Sequence, residues 1–588
     1  MKRLNKILLP AFAVSVILFT GCRENLMDLS PYGSISSGNM WTTENLADQG
    51  VVGIYNVLRS TSVVGDLYEY ESYGISADNR DQHALTRGSI MASNGLFQSY
   101  WVNHYEGVHR ANDAIANLNR APLSAEKLGR LTAEAKFLRA FYYFKLNAVF
   151  KGVPLYLEPT ELEEFTKGQD SEADVWNTVI ADLTDCIGEP NFPDRYEKGS
   201  GDFGRATKSA AYALRGKVYL YTREWAKADA DFAKVGEVGH KLFDGGYRQL
   251  FKEANEQSEE MIFSLQCIAE SGYGNEFSFR YGSRVTFGSC WNTYLANADF
   301  VESYECADGS KFNWNDYLPG YNEMAPNARA VYFLRDNMTE AEIAQMANTQ
   351  GADMSKYLPE GNEERILRAY ADRDPRLAAT IVTPYSQYVG AIGADTYTYT
   401  LRWPYRGFDA TDPFDLRTDT NNRFYYLFRK FVAEGATEIP NRSYSPIDIP
   451  LLRYADVLLS RAEAINEQGF SQSAVDLVNL VRARAGVAAL QTADASKSTY
   501  VNGQADMRER IRNERRWEFA GEGVNFFDEM RWQSLHETKY GQESGLKQIW
   551  GQPQFTYTWG GQHYYRWPVP STEQQMNTNL VQVPGWIN

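Results

Sequence analysis

Three carboxylates in the C-terminal third of the chain have the types and spacing to suggest acid–base chemistry. Glu514 and Glu518 are four residues apart in RERIRNERRWEF, and Asp528 follows shortly after them. Hydrolysis of a glycosidic bond uses two such groups about 5–5.5 Å apart, facing each other across a cleft. On a helix, residues four apart project from the same face, here beside Arg515 and Arg516. We therefore expect ion pairs that tie helices together, and we do not predict an enzyme.

Metal and cofactor chemistry has little support in the sequence. The six histidines form no HxxxH or HExxH pair, and no GxSxG motif or phosphate-binding loop occurs. Asp372, Asp374 and Arg376 lie in ADRDPRL, where a turn and a helix cap are the expected roles. Four cysteines in the body of the chain match no zinc-binding spacing, and they could be buried free thiols or form a disulfide: Cys186, Cys267, Cys290 and Cys306. We predict no metal and no cofactor.

Aromatic and polar residues in loops are the stronger functional signal. Trp and Tyr rings can stack on the apolar faces of sugars, while amide, carboxylate and guanidinium groups bind the hydroxyls. Two regions combine these residue types, and we predict glycan contacts in both. The candidates of the first region are Tyr73, Asp78, Asn79 and Arg80, with Trp101 on the next helix, where it also fits the core. The candidates of the second region are Tyr281, Arg284, Trp291, Trp314 and Trp403.

Repeated helix pairs are the elements that must position these loops. In LLRYADVLLSRAEAINEQGFSQSAVDLVNLVRARAG, small and apolar residues follow the spacing of a tetratricopeptide unit, in which two antiparallel helices touch at small side chains. Gly469 is expected to end the first helix, and Ser471 or Ser473 to cap the second. An earlier segment, YALRGKVYLYTREWAKADADFAKV, repeats the pattern about 246 positions before it, with Gly216 at a helix contact.

The stretch between the two pairs differs in character. It mixes Gly, Asn, Tyr and Trp with few periodic runs, and DTYTYTLRW predicts a strand with Tyr397, Tyr399, Leu401 and Trp403 on one face. A structureless loop of this length would be unusual. The predicted fold class is therefore mainly α: a tetratricopeptide-like helical-repeat scaffold with a large irregular insertion of loops and short strands that forms the ligand-binding face.

The N-terminus predicts export and a lipid anchor. Basic residues precede an apolar run of about 13 residues, which is typical of a signal peptide and too short to span a bilayer as a helix. The run ends in LFTGC, which resembles a lipobox with Cys22 as the lipidated residue. The alternative is an ordinary signal peptide followed by a chance cysteine. We predict a signal peptide over 1–21 and a lipidated tether over 22–40.

The rest of the chain, 41–588, is predicted to be one domain. Its helical scaffold is expected over about 41–260 and 442–540, its insertion over about 270–441, and a tail over 541–588. The formal charge of −16 argues against nucleic acid or an anionic membrane surface as a partner.

Short motifs follow one another along nearly the whole mature chain. They are Cys22 to Pro31, the pattern from Trp101 to Asn112, EAKFLRA from Glu134, GVPL from Gly152, DPRL from Asp374, LRYAD from Leu452, ERRWEF from Glu514 and WPVP from Trp567. Together and in this order, they resemble the SusD/RagB family of Bacteroidota outer-membrane lipoproteins, the SusD-like proteins of the starch-utilisation-system type. Val583 stands where that family commonly has asparagine.

The resemblance implies a non-enzymatic, cell-surface lipoprotein of the outer membrane. Such a protein sits on a SusC-like, TonB-dependent transporter and delivers an oligosaccharide or polysaccharide to it. One alternative is a RagB-like lipoprotein that captures peptides, which favours an open strand edge with apolar pockets. Another is a lipid-anchored glycan hydrolase, which needs two carboxylates across a cleft. A third is a subunit that only binds other proteins and exposes no aromatic platform.

Overall fold

The computed structural model describes residues 40–161, 164–407, 414–418, 423–436 and 442–587. The predicted signal peptide, the predicted lipidation site Cys22 and all of the predicted tether except its last residue lie outside the described residues. Across the described ranges, no helix combines the length and the apolar character needed to cross a membrane.

The N-terminal part of the fold consists of helices and one short strand. The helices are α1 (Glu44–Asn56), α2 (Leu67–Tyr73), α3 (Gly95–Asn117), α4 (Ala125–Phe150) and α5 (Glu172–Gly188), and strand β1 (Ala77–Asn79) follows α2. The hydroxyl of Thr43 caps α1 by accepting a hydrogen bond from the amide of Leu46 at 3.2 Å. Helix α4 is buried on nearly every face because both α3 and α5 pack against it.

Helices α3 and α4 approach each other closely at a glycine. A Cβ atom on Gly107 would lie only 2.3 Å from the ring of Tyr142. The Tyr142 hydroxyl in turn donates a hydrogen bond to the Ile54 carbonyl of α1 at 2.7 Å. One ring on α4 therefore contacts both α1 and α3, and any side chain at position 107 would have to displace it.

The first repeat pair consists of α6 (Lys208–Tyr221) and α7 (Trp225–Glu237). The two helices pack together, and Gly216 lies at their contact. A Cβ atom there would lie 2.7 Å from the ring of Phe232. The small residue that the repeat pattern places at this position is thus required by the packing.

The insertion begins and ends at one antiparallel strand pair. After α8 (Tyr247–Leu250), the chain enters the insertion through β2 (Met261–Leu265) and returns through β9 (Ile449–Arg453), with Leu265 opposite Ile449. The helices between them are α9 (Phe277–Tyr281), α10 (Ala298–Ser303), α11 (Trp314–Tyr317), α12 (Pro326–Arg329), α13 (Glu340–Gln345), α14 (Asn362–Ala371) and α15 (Pro375–Thr380). The strands are β3 (Tyr294–Ala296), β4 (Ile381–Val382), β5 (Gln387–Ile392), β6 (Asp395–Thr400), β7 (Phe414–Asp415) and β8 (Leu427–Phe428).

Strand β6 is shorter than the sequence predicts. Tyr397 and Tyr399 both contact the ring of Phe414, at centroid distances of 5.7 and 6.0 Å, as two residues on one strand face should. The strand ends at Thr400, which pairs with the first residue of β5. Leu401 still exchanges backbone hydrogen bonds with Ser386 and Tyr385, but the chain turns there, so Leu401 and Trp403 follow the strand instead of extending it.

The second repeat pair resumes the scaffold with α16 (Tyr454–Gln468) and α17 (Gln472–Ala485). Gly469 directly follows α16, and the Ser471 hydroxyl accepts from the amide of Ser473 at 3.2 Å at the start of α17, as predicted. Helix α16 packs directly against α7, so the two repeat pairs are neighbours in space. The remaining elements are α18 (Gly503–Glu518), α19 (Asn525–Trp532), α20 (Leu535–Thr538), β10 (Gly545–Lys547), β11 (Pro553–Thr556) and α21 (Ser571–Met576). The predicted mainly α, helical-repeat fold class is confirmed.

A continuous apolar core connects the scaffold, the insertion and the tail. Its buried residues extend along the chain from Trp41 to Trp586, and a smaller cluster lies among α16, α17 and α18. The four cysteines of the body are buried and free. Burial raises the pKa of Cys267 and of Cys290 to about 12, so these thiols are protonated and unreactive at neutral pH.

Candidate functional site

The carboxylates with the spacing of an acid–base pair are buried in an ion network. Glu514 lies 2.7 Å from the guanidinium of Arg376, and an Oε atom of Glu518 accepts from Nη1 of Arg453 at 2.7 Å. Burial raises the pKa of Glu518, but the guanidinium groups of Arg484, Arg453 and Arg376 outweigh it and lower the pKa to about 2. Neither carboxylate is accessible to a substrate, because the side chains are at most 1% exposed.

This network joins the insertion to the scaffold. Arg376 belongs to α15 of the insertion, while both glutamates belong to α18. Asp374 caps α15 by accepting a hydrogen bond from the Arg376 amide at 2.9 Å, as predicted for a helix cap. The arginine–glutamate pairs predicted to tie helices together are therefore present, and they fix the position of α15.

The pairing of β1 with β3 brings the two predicted ligand-binding regions together. Asn79 lies opposite Tyr294 in this antiparallel pair. Beyond the strand end, the Arg80 amide donates to the carbonyl of Thr293 at 2.9 Å, and its Nη1 donates to the carbonyl of Trp291 at 3.2 Å. Residues that are more than two hundred positions apart in sequence thus form one continuous surface.

Trp291 provides the exposed aromatic ring of this surface. Its side chain is 41% exposed, and its ring packs at a centroid distance of 4.9 Å against Phe279. The guanidinium of Arg442 lies over the other ring, 5.1 Å from the Phe279 centroid. Arg284 is exposed on the same loop as Trp291. We call Asn79, Arg80, Arg284, Trp291 and Arg442 the Trp291 patch.

Asn79 adds an amide to the patch. Its Oδ1 accepts a hydrogen bond from the amide of Asp81 at 2.8 Å. In the described ranges, no hydrogen bond engages its side-chain NH2 group. An amide donor, guanidinium groups and a partly exposed indole ring are the groups that bind the hydroxyls and the apolar face of a sugar.

Asp78, another predicted ligand contact, has a different position. It is completely buried, and its carboxylate accepts hydrogen bonds from Lys539 Nζ at 2.9 Å, the Tyr557 hydroxyl at 2.6 Å and Asn297 Nδ2 at 3.0 Å. Lys539 directly follows α20, Tyr557 belongs to the tail, and Asn297 caps α10. Asp78 therefore anchors β1 beneath the patch, and it has no surface to offer a ligand.

Five of the predicted aromatic contacts are core residues. None is more than 5% exposed: Tyr73 0%, Trp101 5%, Tyr281 0%, Trp314 3% and Trp403 1%. Their rings pack against other buried rings, for example Tyr281 on Phe428 at 4.3 Å and Trp403 on Trp550 at 4.6 Å. Because large rings remove the most apolar area from water, the core takes them up, and in this structure they present no open stacking face.

Trp314 does reach one polar cleft. A cleft of about 630 Å³ is lined by Glu302, Phe312, Asn313, Trp314, Asp316 and Asn322, among others. The Trp314 indole nitrogen donates to Glu302 at 2.8 Å, so the ring is held at the cleft wall by its edge. Amide and carboxylate groups dominate the lining, which makes this cleft a second place where hydroxyl groups could bind.

Two residues that build the Trp291 patch were not identified from the sequence. Phe279 supports Trp291, and Arg442 crosses over Phe279 from the far end of the insertion. Phe279 carries the signal of an ordinary core residue and is itself buried. Nothing local in NRSYS identifies Arg442, because its role depends on a contact made across the insertion.

The fold and the site together define a class of protein. A helical-repeat scaffold and its insertion together form a surface that combines an exposed indole, an amide and guanidinium groups. Within the described residues, no cluster of three or more His, Cys, Asp or Glu side chains could hold a metal ion, and the candidate catalytic carboxylates bind arginines. This is the architecture of a ligand-binding protein.

The chain belongs to the SusD family. The sequence model described as SusD family matches residues 259–586, and a model described as starch-binding, associating with outer membrane, matches residues 27–220. The family membership that the ordered motifs indicate is therefore confirmed.

Characterised relatives match along most of their length. The chain is 25% identical over 541 residues to SusD-like protein P25 of Formosa agariphila, covering 88% of this chain and 89% of the relative. It is 24% identical to the starch-binding protein SusD of Bacteroides thetaiotaomicron, covering 92% and 87%.

Solved structures show the same fold. A SusD-like protein from Bacteroides fragilis superposes with a TM-score of 0.70 at 22% identity, covering 95% of this chain and 100% of that structure. A laminarin-binding SusD-like protein superposes with a TM-score of 0.62 at 22% identity, covering 93% and 100%.

Proposed function

We propose that this protein is a cell-surface lipoprotein that captures a glycan at the Trp291 patch and delivers it to a SusC-like, TonB-dependent outer-membrane transporter. The observation that carries the proposal is the β1–β3 pairing, which sets Asn79 and Arg80 beside the loop that carries the exposed ring of Trp291. The names of the relatives, which include a starch-binding and a laminarin-binding protein, support a carbohydrate as the ligand.

The chemistry of the patch suits one sugar ring with its substituents. The indole of Trp291 can stack on the apolar C–H face, and its partly buried position against Phe279 keeps the ring oriented before the ligand arrives. Arg80, which donates to the Trp291 carbonyl, and Asn79 lie beside this loop and can bind the sugar hydroxyls. A hydrogen bond to a charged group contributes about 1.5–3 kcal/mol, so a few such contacts give a specific but reversible site.

The binding experiment is a calorimetric or affinity-gel screen of the chain from residue 23 onward against plant, host and microbial polysaccharides. We expect one class to bind without release of reducing ends. Trp291→Ala should weaken binding roughly tenfold or more, as expected for a central aromatic contact. Phe470→Ala is the matched control, because Phe470 is also 41% exposed but lies between α16 and α17.

The outcomes of this screen separate the alternatives. Normal binding by Trp291→Ala would move the site to the cleft beside Trp314, where Asn313→Ala becomes the next variant. Release of reducing ends would establish the hydrolase instead. Binding of extended peptides, with no polysaccharide retained, would establish peptide capture.

The anchor and the transporter need separate tests. The sequence supports lipidation at Cys22, and the family description includes association with the outer membrane. Cys22→Ala should move the protein from the membrane fraction to the soluble fraction, and unchanged retention would refute the lipobox. Purification in mild detergent should recover a large β-barrel partner with the wild-type protein, and recovery of the protein alone would argue against delivery to a transporter.

A further inference from the structure

The Trp291 patch concentrates positive charge on a protein that is strongly acidic. The chain carries a formal charge of −16, yet Arg80, Arg284 and Arg442 all lie around one exposed tryptophan. In the described part of the chain, no carboxylate lies within ion-pair distance of Arg284 or Arg442, and the ion pair of Arg80 is with Asp81 at 4.0 Å. Among the described residues, these three guanidinium groups therefore have little or no compensating charge.

The arginines are held in place by neutral groups. Arg442 donates from Nη1 to the carbonyls of Gly288 and Ser289, both at 3.2 Å, and lies over the ring of Phe279. Arg80 donates to the carbonyl of Trp291 in the same way. Carbonyls and a ring face orient a guanidinium without neutralising it, so the positive charge of both residues persists at the surface.

Arg284 and Arg442 flank the same part of the loop. The Cys290 amide donates to the carbonyl of Ser283, the residue before Arg284, at 3.1 Å, and Arg442 donates to the carbonyl of Ser289, the residue before Cys290. Burial raises the pKa of the Cys290 thiol, and the two arginines are the nearby charges that oppose this rise. Both guanidinium groups thus act on the same buried sulfur, directly next to Trp291 in the chain. Arg284 is exposed and makes no ion pair with the described residues, so its guanidinium group is accessible to a ligand.

The described acidic side chains near the Trp291 patch have partners other than Arg284 and Arg442. Glu276 pairs with Arg280 at 2.7 Å on α9. Glu69 accepts a hydrogen bond from the Tyr73 hydroxyl, and Asp66 accepts one from Tyr68. Asp81 is largely exposed beside Arg80. None of these described carboxylates pairs with Arg284 or Arg442.

We propose that the patch selects an anionic glycan, one that carries sulfate esters or uronate carboxylates, an inference that rests on the proposed glycan-binding function. A guanidinium group presents parallel N–H donors that match the oxygens of a sulfate or carboxylate. A neutral sugar would leave this charge uncompensated. The indole ring of Trp291 stacks on the sugar, and the arginines beside it bind the charged substituents of that sugar.

The test compares glycans that differ only in charge. One pair is a sulfated galactan and its chemically desulfated form, and the other is polygalacturonate and its methyl ester, each titrated against the chain from residue 23 onward. We expect the charged member of one pair to bind at least tenfold more tightly than its neutral counterpart. Which pair responds distinguishes sulfate from carboxylate.

Arginine variants locate the effect. Arg284→Gln should weaken binding of the charged glycan roughly tenfold or more and leave binding of the neutral form unchanged, whereas Arg284→Lys should restore part of the affinity. Arg442→Gln should act in the same direction. Arg368→Gln is the control, since Arg368 is exposed on α14, away from the patch, and its loss removes the same charge.

Each outcome decides between the two proposals. Equal binding of charged and neutral forms, lost in Trp291→Ala, would overturn the anionic specificity and preserve the glycan-binding function. An equal loss in Arg368→Gln, or equally tight binding of single-stranded DNA, would also overturn it, because the protein would then respond to charge alone. No binding to any glycan would instead remove the proposed function itself.

Discussion

Trp403 is 1% exposed and packs 4.6 Å from Trp550, whereas Trp291 is 41% exposed over Phe279. This difference in exposure predicts that replacement by alanine will affect stability at Trp403 and ligand binding at Trp291. Trp403→Ala should lower the free energy of unfolding by about 3–5 kcal/mol, because it removes a buried ring and leaves a cavity. Trp291→Ala should cost about 1 kcal/mol or less and act on ligand binding.

Urea denaturation of the two variants, with ligand titration of each folded protein, measures both effects. A strongly destabilised Trp291→Ala would show that this ring belongs to the core and that its role in the patch is structural.

Glu518 gives a prediction that depends on pH. Its pKa in the folded chain is about 2, below its ordinary value of 4.5. Its stabilisation is therefore complete above about pH 4.5 and is lost as the pH falls toward 2. Glu518→Gln should cost about 3–5 kcal/mol at pH 7, because it removes one buried carboxylate from a network in which Arg453 and Arg484 then keep only Glu260 and Glu522 as partners.

The gap in urea midpoint between wild type and Glu518→Gln, followed from pH 7 down to pH 3, tests this prediction. The gap should narrow only in the acidic part of this range, and a gap that stays constant would contradict the assignment.

Residue type alone could not predict which of the ten site candidates are accessible. Asn79, Arg80, Arg284 and Trp291 lie at the surface, while Tyr281 and Trp403 have equally suitable types and are buried. Exposure at Trp291 depends on the β1–β3 pairing and on the packing of Phe279. These contacts form between segments far apart in sequence, so no local sequence pattern predicts that Trp291 is exposed.

At the scale of the element, local signals were sufficient. Asp374 and Ser471 cap the helices that they were expected to begin, and Gly469 follows the helix that it was expected to end. Each cap is formed by a residue and an amide two or three positions away, so the sequence contains the whole interaction. The predicted end of β6 was wrong because it depends on the turn that precedes the partner strand β5.

Helix α3 offers a matched pair of glycines for a packing prediction. Gly107→Ala should destabilise the protein by about 1–3 kcal/mol, since its Cβ would lie 2.3 Å from the ring of Tyr142. Gly95→Ala, at the start of the same helix with nothing within 4 Å, should change stability little or raise it slightly. Thermal or urea unfolding of both variants provides the comparison, and equal effects would refute the close contact of α3 with α4.

At the scale of the whole molecule, the insertion does not separate the scaffold. Helix α7 precedes it and α16 follows it, yet the two pack directly together. The repeat pattern in the sequence predicted both helix pairs but not this contact, because the pattern describes each pair by itself. The strand pair β2–β9 makes the contact possible by bringing the entry and exit of the insertion side by side.

One core and one ion network span both parts of the molecule, so the scaffold and the insertion should unfold together. The apolar cluster includes residues of each part, and Arg376 of α15 binds Glu514 and Glu518 of α18 with no exposure to solvent. Scanning calorimetry of the chain from residue 23 onward should therefore show a single transition. Arg376→Met should lower its temperature without splitting it, because the loss leaves the buried carboxylate of Asp374 without its arginine partner at a cost of about 3–5 kcal/mol. Two resolved transitions in the wild-type protein would instead show that the insertion is an independent folding unit, held to the scaffold by a weaker interface than these contacts indicate.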